Sequence, residues 1–196
     1  MNEKLELRMY GLVPYNISPI QQAIQFGHAV VEYGQRVKLP QAMSKMSINA
    51  SCIYDDWADN WKTFIILNGG TTNHRVDEQG MPFGTLNNHL LVLEENKIDF
   101  VTFHEPDLGD QLTAIVFVVD ERVFNRKKYP DFEDWIIENY GELIRSDYYT
   151  TSYMLATQIK QSTSKRDKKV YDEWSKFVGG EKNIFLRDFL KNFKLA

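Results

Sequence analysis

The sequence predicts an α/β fold with a mixed sheet and an appended helical region, on three observations. Strand and helix signals alternate along residues 1–120 in the order strand, helix or helices, strand, helix, strand, strand. The first connections are long enough for parallel crossovers, and from Glu121 onward no strand pattern appears. The chain has 196 residues, 43% apolar and 26% charged, an ordinary globular balance with room for one domain and an appendage. The expected division is an α/β domain over 1–120 and a helical extension over 121–196 packed on it.

Leu5 to Leu12 begins as a strand, with Leu5, Leu7 and Met9 alternating against Glu6, Arg8 and Tyr10, and is stopped by Pro14 and Asn16. Ser18 is a good N-cap and Pro19 the favoured first helical residue. Ile20, Ala23, Ile24, Gly27 and Val31 then recur at helical spacing, which predicts a helix to about Gln35 with this stripe on the sheet. From Pro40 to about Asn60, Ala42, Met43, Met46, Ala50 and Ile53 are spaced as on a second helix; Ile48 falls off the stripe, and Ser and Asn are frequent. Cys52 lies in this segment and reads as a buried thiol. As the single cysteine it excludes an intramolecular disulfide framework and any multi-cysteine zinc site.

Lys62 to Leu67 is a short, nearly continuous apolar run, the mark of a strand covered on both faces. It ends in Asn68-Gly69-Gly70-Thr71-Thr72, a loop whose backbone amides could face an anion, and residues 68–84 read as extended loop. Thr85 is expected to cap a helix through Leu86, Leu90, Leu91 and Leu93 to about Asn96. Asp99 to Phe103 is a third strand, and Leu112 to Val119 is the strongest strand signal, expected in the middle of its sheet. The short 108–111 connection sets these two antiparallel if they are neighbours. Beyond them, Asp131–Tyr140, Lys169–Val178 and Asn183–Phe193 show helical apolar spacing, with Tyr148, Tyr149 and Tyr153 also available for burial.

Several function classes are excluded or disfavoured. No apolar run approaches the roughly 18 to 20 residues of a membrane-spanning helix, and Met1-Asn2-Glu3-Lys4-Leu5-Glu6 alternates charges where a secretory signal would be basic and then apolar. A soluble, cytoplasmic protein with no membrane partner is expected. No P-loop, dinucleotide fingerprint, Gly-x-Ser-x-Gly elbow or His-Glu-x-x-His motif occurs, so no cofactor is expected. The net charge of −4 divides unevenly: residues 1–120 hold 8 Lys/Arg against 15 Asp/Glu, and 121–196 hold 15 against 12. A grip on phosphates would therefore have to come from Lys165-Arg166 and Lys168-Lys169, which otherwise read as a solvated helix face.

Two constellations could carry chemistry. On the first helix Gln21, Gln25, His28 and Glu32 align as a polar stripe beside the apolar face. Such a histidine is more often a surface group than a catalyst. The second is His104-Glu105-Pro106-Asp107-Leu108-Gly109-Asp110-Gln111-Leu112-Thr113, rich in carboxylate, amide and hydroxyl groups between two strands; its plainer reading is a polar hairpin turn. His104, Glu105 and Asp107 match no metal-ligand spacing, so no metal is expected.

The first strand, the Asn16–Pro19 turn and Ser18-Pro19-Ile20-Gln21-Gln22-Ala23-Ile24-Gln25-Phe26-Gly27-His28-Ala29 resemble the N-terminal signature of the type II peptidyl-tRNA hydrolases of archaea and eukaryotes. The similarity continues thinly to residue 119. Ala23, Gln25, His28 and Ala29 look like counterparts in that family's helix pattern, with Gln21 where the pattern has a lysine. Glu105-Pro106-Asp107 and Gln111 to Thr113 sit where the family has its second catalytic stretch. The chain looks most like divergent, often phage-encoded members sharing Glu-Pro-Asp-Leu-Gly and an ending like Gly179-Gly180-Glu181-Lys182-Asn183-Ile184-Phe185-Leu186-Arg187.

This resemblance implies a three-layer α/β/α arrangement around a four-stranded mixed sheet, and an aminoacyl- or peptidyl-tRNA ester hydrolase in which water attacks the ester between peptide and tRNA. His28 would be the base or water orienter, Glu105 or Asp107 would fix its ring, and Thr113 completes the catalytic set. Gln21, Gln25 and Gln111 are the substrate-binding candidates. A reading from another class is a non-catalytic protein of the same fold that holds tRNA, a nucleotide or a protein partner, as a phage accessory or counter-defence factor would. A third is a homo-oligomer joined by the aromatic C-terminal helices.

Overall fold

Four strands, β1 (Leu7–Val13), β2 (Thr63–Asn68), β3 (Phe100–Glu105) and β4 (Gln111–Asp120), form one sheet in the order β2-β1-β4-β3. The computed structural model describes residues 4–40, 46–72, 76, 78–80, 84–145 and 152–196. Met1 to Glu3, the helix positions Ala42 and Met43, parts of the 68–84 loop, and Tyr148 and Tyr149 lie outside the described residues. β1 is parallel to β2 and antiparallel to β4, which is antiparallel to β3, so the sheet is mixed. β4, apolar along most of its 10 residues, has a strand on either side and is buried almost throughout, as its composition predicts.

The expectation for the second strand is corrected. β2 is an edge strand in which only Leu67 is fully buried, and Phe64 is 47% exposed. An apolar run with β-branched residues reports burial on average and is silent about edge position. The outer edge is paired near its end: Asn68 N–H donates to the Lys194 carbonyl at 2.9 Å and Ala196 N–H to the Ile66 carbonyl at 3.1 Å.

One sheet face carries α1 (Pro19–Arg36) and α2 (Ala50–Asp56). α1 starts at a capping box, with Ser18 Oγ accepting from Gln21 N–H at 3.3 Å and Gln21 Oε1 accepting from Ser18 N–H at 3.1 Å. Its buried apolar residues are Phe26, Ala29 and Tyr33, joined past its end by Val37. They pack with Met9, Val13, Val101, Ala114 and Val116 of the sheet. A Cβ on Gly11 would come within 2.2 Å of the Phe26 ring, so a glycine is required where the helix lies closest to β1. The stripe expected here is not the buried one: Ile20, Ile24 and Val31 are 74%, 47% and 60% exposed. α1 carries two apolar stripes, and the one with two aromatic rings, which buries more area, faces the sheet.

The second helix is shorter than its spacing suggests; it begins at Ala50 and passes into a π-helical turn, Trp57–Trp61, closed by Lys62 in the left-handed region at φ 52°. Tyr54 and Trp57 reach inward, with ring centroids 5.6 Å from Tyr33 and 5.3 Å from Phe64 respectively. Cys52 is exposed on the outer side, not buried as expected, because Ala50, Tyr54 and Trp57 take the inner positions. On the other sheet face α3 (Thr85–Glu95) packs on β4 and buries Leu86 and Leu93. Its N-cap is Gly84; Thr85 is the first helical residue, and its Oγ1 accepts from Thr71 N–H at 2.8 Å. Helices on both faces give three layers, α/β/α.

The chain divides into two compact units, Met1–Asp120 with Leu190–Ala196, and Glu121–Phe189. The second contains α4 (Glu121–Phe124), α5 (Phe132–Arg145), α6 (Ser152–Gln161), α7 (Lys165–Phe177) and most of α8 (Glu181–Leu190). Phe132 lies at its centre, with ring centroids 5.4 Å from Tyr171 and 5.1 Å from Trp174. Arg187, 1% exposed, donates from Nη2 to the Tyr129 carbonyl at 2.8 Å and to Asp131 Oδ1 at 2.7 Å. α6 has no counterpart among the expected helices, and Tyr153 on it is 68% exposed rather than buried. Among the described residues no helix is long and apolar enough to cross a membrane.

Candidate functional site

The two stretches singled out in the sequence meet at the edge of the α1 face. β3 and β4 run in register up to Phe103 opposite Ala114, and then His104 faces Leu112. Thr113 is skipped, which makes a β-bulge. Strict alternation would turn Thr113 away from the face that Ala114 occupies. At a bulge two successive side chains share one side, and Thr113, fully buried, points to α1.

There it meets Gln25, which is 5% exposed. Thr113 Oγ1 donates to Gln25 Oε1 at 2.8 Å, with the Phe103 carbonyl oxygen 3.3 Å away. Gln25 Nε2 donates in turn to Glu105 Oε2. The direction is fixed by chemistry, since an ionised carboxylate only accepts and therefore takes the amide's NH2 end. Glu105 Oε1 also accepts from Asp107 N–H at 3.4 Å, capping the short 3-10 turn Pro106–Leu108. Gly109 and Asp110, both left-handed at φ 66° and 59°, return the chain to β4. The result is a buried hydroxyl, a buried amide and a half-buried carboxylate in series.

The other candidates have different surroundings. His28 is exposed one turn beyond Gln25, with its ring 4.6 Å from the Phe103 ring at an interplanar angle of 54°. No hydrogen bond joins it to Glu105 or Asp107, so neither carboxylate fixes its ring as the resemblance implies. Asp107 is exposed in the turn. Gln111 Nε2 donates to the Leu108 carbonyl at 2.9 Å and braces that turn, while Gln21 belongs to the α1 cap. The His104 imidazole is held below its usual pKa, by desolvation first, against an opposing pull from Asp110 and with a smaller lowering by Arg36.

The loop after β2 does not offer its amides to an anion. Gly69 N–H donates to the Val13 carbonyl at 2.8 Å, Gly70 N–H to Asn68 Oδ1 at 2.9 Å, Thr71 N–H to Thr85 Oγ1 at 2.8 Å and Thr72 N–H to Asn16 Oδ1 at 3.2 Å. Every amide the expectation relied on is bonded within the protein, which overturns that reading. Among the described residues no group of three His, Cys, Asp or Glu side chains is placed to hold a metal ion. Phe103 carries no site signal in the sequence: as the last apolar residue of a strand it looks like core, and its contact with His28 depends on how α1 crosses β3. No family model, curated protein or solved structure matches this chain.

Proposed function

We propose that this chain is an esterase-type hydrolase acting on an RNA-linked ester of the peptidyl-tRNA kind, with Glu105 as the general base. The observation that carries this reading is the series Thr113–Gln25–Glu105. A carboxylate gripped by a buried amide, itself gripped by a buried hydroxyl, is held in one orientation, and its remaining lone pairs can take a proton from water. Water oxygen would attack the ester carbonyl carbon as its proton passes to Glu105. Collapse of the tetrahedral adduct would break the bond to the ribose oxygen, which takes that proton as it leaves. In this scheme Gln25 and Thr113 position Glu105 from behind, a role different from direct substrate binding or catalysis, and Asp107 is exposed in the adjoining turn.

The test is release of N-acetyl amino acid from N-acetylated aminoacyl-tRNA at neutral pH. Glu105→Gln is expected to lower kcat by about 100-fold or more, the scale of a lost general base. Equal turnover in Glu105→Gln and wild type would refute the assignment. A second reading, a non-catalytic binding protein, is favoured by one observation, the exposed His28 with no carboxylate hydrogen-bonded to it among the described residues. Absence of turnover in the wild type would select it.

A further inference from the structure

The two edges of the sheet are finished differently. Residues 194–196 pair with β2 on one side, through Asn68 N–H and the Ile66 carbonyl. On the other side β3 has β4 as its neighbour and no described strand beyond it. The Phe103 carbonyl faces the Thr113 hydroxyl, and the Glu105 carbonyl accepts from Asp110 N–H at 3.0 Å, so Val101, Phe103 and Glu105 turn their backbone groups toward β4. Alternation then turns the N–H and C=O of Phe100, Thr102 and His104 outward. Among the described residues none of these groups has a hydrogen-bond partner. The bulge at Thr113 lies in β4 and leaves the alternation of β3 intact. Edge strands are ordinarily blunted by lysine, proline or a bulge of their own, and β3, Phe-Val-Thr-Phe-His-Glu, carries none of these.

The outward groups are self-complementary. With two copies of β3 antiparallel about a twofold axis at Thr102, Phe100 N–H meets the carbonyl of the partner's His104, and Thr102 N–H meets that of the partner's Thr102. His104 N–H then meets the carbonyl of the partner's Phe100. Each opposed pair exchanges two hydrogen bonds, and every outward donor and acceptor from Phe100 to His104 is used. Other registers are poorer. An axis at Val101 sets His104 against the partner's Ile98, whose N–H is already bonded to the Leu93 carbonyl, and an axis at Phe103 sets Phe100 against the partner's Pro106, which has no N–H.

The charges beside the edge fit the same register. Lys97 and Asp107, both exposed and both without an ion-pair partner among the described residues, come opposite each other at either end. Asp99 comes opposite the partner's Glu105, the register's one like-charge opposition, but each carboxylate is held on its own chain, by Ser47 N–H at 2.6 Å and by Gln25 respectively. Asp110 and Arg36 act on His104 with opposite sign. Glu94 and Glu95 belong to α3 and leave the sheet at Lys97, which is left-handed at φ 55°.

We propose that β3 is a self-association edge: two copies of this chain join antiparallel through Phe100–His104, with the twofold axis at Thr102, into one continuous sheet. The pair is closed, since each copy uses the edge it offers. This surface is separate from the aromatic C-terminal helices, and nothing in it rests on the esterase reading.

The test is sedimentation equilibrium of the 196-residue chain from about 1 to 500 μM, the range in which a small interface associates. A monomer–dimer equilibrium is expected. Thr102→Lys keeps the β3–β4 hydrogen bonds but puts like charges together at the axis, and should weaken the dimer by about fivefold or more. The register is read by cross-linking in a Cys52→Ser background, which removes the one native thiol. Opposed Cα atoms in such a pair are about 5.5 Å apart, within disulfide reach, so Thr102→Cys should oxidise to a covalent dimer. His104→Cys, displaced from its own copy by about 14 Å along the strand, should not. A monomer at every concentration would overturn the proposal. So would a dimer that Thr102→Lys leaves intact, or one that His104→Cys cross-links as readily as Thr102→Cys.

Discussion

α1 presents two apolar stripes, and their fates differ. Phe26, Ala29 and Tyr33 are 4%, 0% and 1% exposed, packed against β1, β3 and β4; Ile20, Ile24 and Val31, on the same helix, face solvent. Both stripes have the spacing that burial demands, so spacing alone does not decide between them. The sheet takes the stripe whose rings fill the hollow over Gly11 and meet Tyr54 and Phe64. The other stays in water, and the polar sector between them, from Gln25 to His28, is where buried and exposed chemistry adjoin.

The largest effect expected from this contrast is on stability. Phe26→Ala removes a ring that covers Gly11 and stacks edge-on to Phe64 at 5.2 Å, leaving a cavity that neighbouring strands cannot collapse into. It should destabilise the fold by about 3–5 kcal/mol in urea unfolding. A cost under about 1 kcal/mol would mean that this stripe is not the one holding the helix.

An intermediate effect is expected in the polar sector. Thr113→Val is close in shape but deletes the hydroxyl that Gln25 Oε1 accepts from, leaving a buried acceptor unpaired at a cost of about 1–3 kcal/mol. If Thr113 acts through Gln25, the double variant Thr113→Val/Gln25→Leu should cost clearly less than the two single changes added together. Additive costs would show that the series does not behave as a unit.

The sequence made some of this legible. Ser18 and Pro19 start α1 where local chemistry says they should, because a cap depends on residues three apart. β4 is central because its apolar run is long enough to need cover on both sides. Gln25, Glu105 and Thr113 stand out in the sequence as candidates, but their order in one series does not. That order depends on the bulge at Thr113, an extra residue in a strand pairing between segments distant in sequence. At Cys52, Phe64 and the loop amides at 69–72 structure and sequence differ for a related reason: exposure and hydrogen-bond partners are settled by what packs across from a residue, and composition does not record it. α6 leaves no periodic signal because its buried residues are Ala156 and Ile159, too few to stand out as a period.

The smallest expected effect tests the comparison most directly. If the outer stripe of α1 contributes nothing to the fold, Ile20→Ser and Val31→Ser should each change unfolding free energy by no more than about 0.5 kcal/mol, since both side chains already stand in water. Helix propensity does not obscure this, because Ile, Val and Ser are close on that scale. The same urea titration that reads Phe26→Ala reads these variants, so the ratio of costs is free of differences in method. A loss of more than about 1 kcal/mol at Val31 would mean that the stripe is covered in the folded protein and shares in holding the helix.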